Sequence, residues 1–134
     1  MSTQISTAQI LGRLVISYGI MAAVFFWSAG TLNWPEAWLY LLLQISFSSA
    51  EAAWLKKNNP ELLKERMTYL KSTAAGWDKA FMWISTVVFI PYLVLPGLDA
   101  VRYQWSEVPV AVEAAAFIGI FFSLLLIFRV LREN

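Results

Sequence analysis

"NPELLKERMTYLK", Asn59 to Lys71, is the most charged stretch of a chain that is 59% hydrophobic and only 14% charged. It stands between two long apolar runs, and its reading decides the fold. Six of the ten Lys and Arg lie between Lys56 and Lys79. Asn59 suits a helix N-cap and Pro60 the first helical position. Glu61 then falls in the first turn, where the helix dipole favours negative charge. Leu63, Met67 and Leu70 follow at i, i+4 and i+7 and share one face, while Lys64, Glu65, Arg66 and Lys71 lie mainly off it. The pattern predicts a short amphipathic helix over about 60–71, lying on a membrane surface. Its basic groups either touch anionic headgroups or wall a site open to the cytosol.

Outward from this segment the chain reads as four apolar runs: Leu11 to Ala29, Trp38 to Leu55, Ala80 to Leu98 and Val110 to Phe128. Each approaches the ~20 residues that a helix needs to cross a hydrocarbon core. Four strands could not close a barrel, so helix is the form that satisfies the backbone in lipid. Composition agrees: mean hydropathy is +0.59, and soluble domains carry roughly 25% charged residues. Trp and Tyr gather near the ends of the runs (Trp27, Trp34, Trp38, Trp54, Trp77, Trp83 and Tyr103), where an aromatic belt belongs. The expected fold is all-α: a polytopic membrane protein of four transmembrane helices, with the short amphipathic helix between the second and third.

Charge orients this topology. From the amino-terminal segment through the three links to the tail, Lys and Arg number 1, 0, 6, 1 and 2. By the positive-inside rule both termini and the basic link face the cytoplasm, as in a bacterial inner membrane. The expected partner is the lipid bilayer, and a net charge of +1 gives no nucleic-acid footprint. With no Cys and no His, disulfides, Cys or His zinc ligands and His-based triads are excluded, and no metal site is expected.

Polar and small residues inside the runs are the candidate functional positions. Gln44, Ser48 and Glu51 recur at i, i+4 and i+7 and form one stripe, serving either interhelical hydrogen bonding or the wall of a cavity open to the cytosol. Ala111, Ala115, Gly119 and Ser123 repeat every four residues, a spacing that lets helices approach closely. Packing inside the monomer and self-association both fit. Pro91, mid-run, predicts a kink. At the basic end Arg66, Arg129 and Glu133 mark a possible surface site. No Gly-rich phosphate loop, HExxH or nucleophile elbow occurs, so no catalytic residue is assigned.

The order "GTLNWPEAWLYL" (Gly30–Leu41), "NPELLKERM" (Asn59–Met67), "GWDKAF" (Gly76–Phe81), "PGLDAVRYQWSEVP" (Pro96–Pro109) and "LREN" (Leu131–Asn134) resembles the amino-terminal half of the bacterial isoprenylcysteine carboxyl methyltransferase-like family. The resemblance spans about Gly30 to Asn134. Its most specific pieces are Asn59-Pro60-Glu61-Leu62-Leu63 with Arg66, and Trp77-Asp78-Lys79. It implies an integral-membrane methyltransferase using S-adenosylmethionine. In that family the carboxyl-terminal half builds the cofactor site, with a Gly-Pro-Tyr stretch and an Arg-His-Pro motif. A chain without His cannot contain that motif, so S-adenosylmethionine is not expected as a cofactor of this chain alone. The resemblance therefore implies a membrane-embedded amino-terminal part, inactive without its carboxyl-terminal half. An accessory subunit of a larger membrane complex is the alternative, and a small four-span transporter a more distant one.

Overall fold

The computed structural model describes residues 5–68 and 76–133. Among them the chain is helical, with no strand: α1 (Thr7–Ala29), α2 (Pro35–Asn58), α3 (Pro60–Thr68), α4 (Gly76–Gly97), a π-helical segment (Leu98–Tyr103) and α5 (Val110–Glu133). Leu70 and Lys71, expected at the end of the surface helix, lie outside the described residues, as does Asn134.

Local chemistry sets the boundaries. Ser6 caps α1 by accepting from the Gln9 backbone N–H at 3.2 Å, while the Gln9 side chain accepts from Ser6 N–H at 3.1 Å, a reciprocal capping box. The helix stops at Gly30, whose φ of 74° is left-handed, a conformation that costs glycine little. Pro35 opens α2 at its first position. Asn59 caps α3 as the sequence predicts, its side-chain oxygen accepting from Leu62 N–H at 3.1 Å. Helix α4 continues through Pro91 and Pro96. The departure from α geometry comes beyond the second proline, where the chain widens into the π-helical segment.

Helix α1 packs against α2 and α4, and α2 packs against α1, α3 and α5. Among the described residues α4 and α5 do not touch, so the long helices form an open row, α4–α1–α2–α5, rather than a closed bundle. Two clusters pin the row. At one end Phe25, Phe26 and Ala29 of α1 meet Trp34, Ala37 and Leu41 around α2 and Leu93 of α4. At the other, Ile10 of α1, Leu55 of α2, Leu63 of α3 and Leu131 of α5 converge. Arg102 lies at the first end with Glu36, Asp99, Glu107 and Glu113, and every other described Lys and Arg lies at the opposite, basic end.

Three of these helices are long and apolar enough to cross a membrane: α1, α4 with its π extension, and α5. The sequence pattern suggests four. Helix α2 has the length, 24 residues, but not the apolarity, because it carries Glu36, Glu51, Lys56, Lys57, Gln44 and three serines. The apolar helices are scarcely buried: 11% of the most apolar stretch of α1 and of α4, and none of that of α5, lies inside the structure. Accessible surface totals 10052 Å², whereas a compact soluble chain of this mass exposes about 7,100 Å². Large apolar side chains such as Val15, Trp27, Phe81, Val88 and Phe122 are among the exposed ones, which suits a lipid surrounding.

Candidate functional site

Two regions bring polar groups together. The first lies between α1 and α2. Tyr18 sits mid-way along α1, where a phenol in an apolar setting needs partners. It donates to the Gln44 main-chain carbonyl at 3.2 Å and is hydrogen-bonded to the Ser48 hydroxyl. A phenol has one proton, so with Tyr18 donating to the carbonyl, Ser48 donates to Tyr18. One side chain of the expected stripe, Ser48, thus meets α1, and Gln44 contributes only its main-chain carbonyl. The third, Glu51, is half-buried on α2 and its carboxylate forms no hydrogen bond among the described residues. Beside the network lies an apolar groove of about 710 Å³, walled by Leu14, Val15 and Ala22 of α1 and Trp38 and Leu42 of α2. Its walls suit a hydrocarbon chain.

The second region is the basic end. Leu63, buried, seats α3 beneath Leu55 and Leu131, and Met67 packs beside them half-buried. Arg13 of α1 donates to the Met67 carbonyl, which ties the carboxyl end of α3 to α1, and Lys56 donates to the Thr7 hydroxyl. Between α3 and α5 a groove of about 580 Å³ remains, with Asn59, Leu62 and Arg66 on one side and Leu126, Ile127 and Val130 on the other. Arg129 and Glu133 do not join Arg66 there. They pair with each other at 3.1 Å along α5, at 78% and 66% exposure, a geometry worth little in water.

The small-residue stripe does not pack against the described residues of the chain. Ala111, Ala115, Gly119 and Ser123 are all exposed, a side chain at Gly119 would meet nothing within 4 Å, and the Ser123 hydroxyl merely bonds back to the Gly119 carbonyl. Helix α5 faces the rest of the chain instead through Glu113, Phe117, Ile120, Leu124, Phe128 and Leu131, its residues that are not fully exposed. Their spacing of three and four marks one helix face.

Sequence reasoning missed Tyr18, Arg13 and Arg102. Tyr18 and Arg13 carried a signal, each being a polar group in an apolar run. Arg102 carried none, since its partner is a main-chain carbonyl 75 residues away: it donates to the Trp27 carbonyl at 2.9 Å, placing a cation at the carboxyl end of α1. Among the described residues no group of three or more acidic side chains converges as a metal site. Compared with known proteins, the chain matches no family model, no curated protein and no solved structure.

Proposed function

We propose that the chain is a four-span membrane scaffold, the amino-terminal part of an isoprenylcysteine carboxyl methyltransferase-like protein, and that it does not transfer methyl groups alone. The observation that carries this is that two pieces of the resemblance, Asn59–Met67 and the stretch from Leu131, meet at the basic end, while Gly30–Leu41 and Pro96–Pro109 meet at the other. Asn59 caps α3, Leu63 docks it, and Arg66 lines a groove beside the last turns of α5, where Leu131 to Glu133 continue the resemblance. These sequence-distant pieces share one end of the molecule. That groove does not suit S-adenosylmethionine: one guanidinium and one amide among aliphatic walls leave an adenosine's base and ribose hydroxyls unpartnered. Further polypeptide would have to supply those contacts.

Helix α2 serves as the fourth span. Its polarity is tolerable there because α1 and α5 flank it and its Ser48 and the Gln44 carbonyl bond Tyr18. Both termini and the basic end face the cytoplasm of a bacterial inner membrane, following the distribution of Lys and Arg. An accessory subunit is the second reading, favoured by the flank of α5 that no described residue covers.

The chain has no Cys, so single-cysteine labelling tests the topology directly. An impermeant maleimide should reach Asn33→Cys in intact cells and Asn58→Cys only after lysis. The reverse pattern overturns the orientation, and both positions labelling from one side overturns the fourth span. Titration of S-adenosylmethionine into the purified chain should give no saturable heat, and a prenylated cysteine should not be methylated. Micromolar binding or turnover would overturn the scaffold assignment. Fixed-ratio co-purification with unrelated membrane subunits would favour the accessory reading.

A further inference from the structure

The groove between α3 and α5 has two chemistries. Leu126, Ile127 and Val130 make the α5 wall apolar, and on the α3 wall Asn59 and Arg66 add polar groups beside Leu62. Asn59 accepts from Leu62 N–H through its oxygen, which leaves its amide N–H groups as donors. The guanidinium of Arg66 is exposed and has no carboxylate within ion-pair distance among the described residues, in contrast to Arg129, which is held by Glu133.

We infer that this groove binds one anionic glycerophospholipid, with a lipid chain against Leu126, Ile127 and Val130 and the phosphate against Arg66 and Asn59. Three observations select that occupant. The walls come from two helices, α3 and α5, whose Leu63 and Leu131 join one buried cluster with Leu55 of α2, so the groove is part of the fold and not of a single helix face. It lies at the end that holds every described Lys and Arg but Arg102, which favours a net negative ligand. Its polar group is a planar guanidinium, able to grip two phosphate oxygens at once, beside a wall that hydrocarbon can cover. A soluble anion would leave that wall open. This site stands independently of the methyltransferase reading, because it uses neither cofactor nor reaction.

Native mass spectrometry of the detergent-purified chain tests it, with phosphatidylglycerol and phosphatidylcholine of identical acyl chains supplied in equal amounts. The wild-type chain should retain phosphatidylglycerol about five- to tenfold better. Arg66→Gln should bring the two lipids to parity, and Lys57→Gln, an exposed cation outside the groove, should keep the preference. Val130→Trp should fill the apolar half and lower retention of both lipids while helicity by circular dichroism stays unchanged. Equal retention by the wild type overturns the site. So does an Arg66→Gln effect no larger than that of Lys57→Gln, which would reduce it to diffuse attraction. Displacement of the lipid by excess inorganic phosphate would reassign it to a free anion.

Discussion

The two ends of the molecule are built differently. The acidic end is aromatic and closely packed between α1, α2 and α4, and leaves a cleft of about 410 Å³ toward α5. Phe25 meets Trp34 and Tyr40 edge-on at ring separations of 5.9 and 5.7 Å, and Phe26 lies 4.6 Å from Trp38. Helices α1 and α4 cross where Gly97 faces Ser28 and Ala29, with no room for a further carbon. Arg102 and Gly30 close the α1 terminus. The basic end rests on four aliphatic side chains, one each from α1, α2, α3 and α5, and keeps grooves and unpaired charge around them. Close packing fixes helix positions, whereas a single shared contact holds elements together and leaves space between them. The aromatic contacts of the acidic end thus fix how α1, α2 and α4 stand together, and the basic end is where the proposed lipid groove lies.

The sharpest way to break that contrast is at Leu55, 2% exposed and the centre of the basic cluster. Leu55→Ala should cost about 2–5 kcal/mol, read as a fall in melting temperature of the detergent-solubilised chain, while Leu42→Ala, at a position 63% exposed, should change little. An unaltered midpoint for Leu55→Ala would mean that the basic end is not a packed node. Gly97→Ala probes the acidic end. Its added carbon would lie 2.0 Å from Ser28 Oγ and 2.8 Å from the Ala29 nitrogen, and the backbone atom cannot swing aside. A loss of about 1–3 kcal/mol is expected, against no loss for Gly119→Ala, where the space is open and alanine favours helix. Equal behaviour of the two glycine variants would remove the close crossing.

Arg102→Gln should be milder, about 1 kcal/mol, because it removes one charge-assisted bond and a favourable dipole contact at an exposed helix end. Faster backbone amide exchange in the last turn of α1 would localise the effect; uniform exchange would contradict a capping role. The smallest effect belongs to the basic end's surface pair. Glu133→Gln should shift stability by less than about 0.5 kcal/mol, with no dependence on salt beyond that of the wild type. A larger loss would show that the tail of α5 is held by more than Leu131 and its neighbours.

Much of the secondary structure was legible in the residues. The Asn59-Pro60 start of α3, the face shared by Leu63 and Met67, and the three strongly apolar helices all follow from local chemistry and periodicity. The π-helical segment was not, since Leu98 to Tyr103 carry no pattern distinct from an α-helix ending after a proline. Of the candidate positions, Ser48 meets Tyr18 through its side chain and Gln44 only through its main chain, and no local pattern names Tyr18 as the partner. Charge order places Arg66, Arg129 and Glu133 at one end; the fold separates them, giving Arg66 to a groove and pairing the other two along α5.

By itself the sequence determined an all-helical chain suited to lipid, where α3 begins, and the segregation of basic residues toward one end, because hydropathy, capping and charge order are properties of neighbouring residues. Only the tertiary structure decided that the helices stand in an open row, that α2 lies between α1 and α5 despite its polarity, that Arg102 closes α1, and that the stripe on α5 is left uncovered. Those facts depend on which side chains meet across 30 to 75 positions of chain, as Tyr18 meets Ser48 and Arg102 meets Trp27, and no local pattern encodes such a meeting.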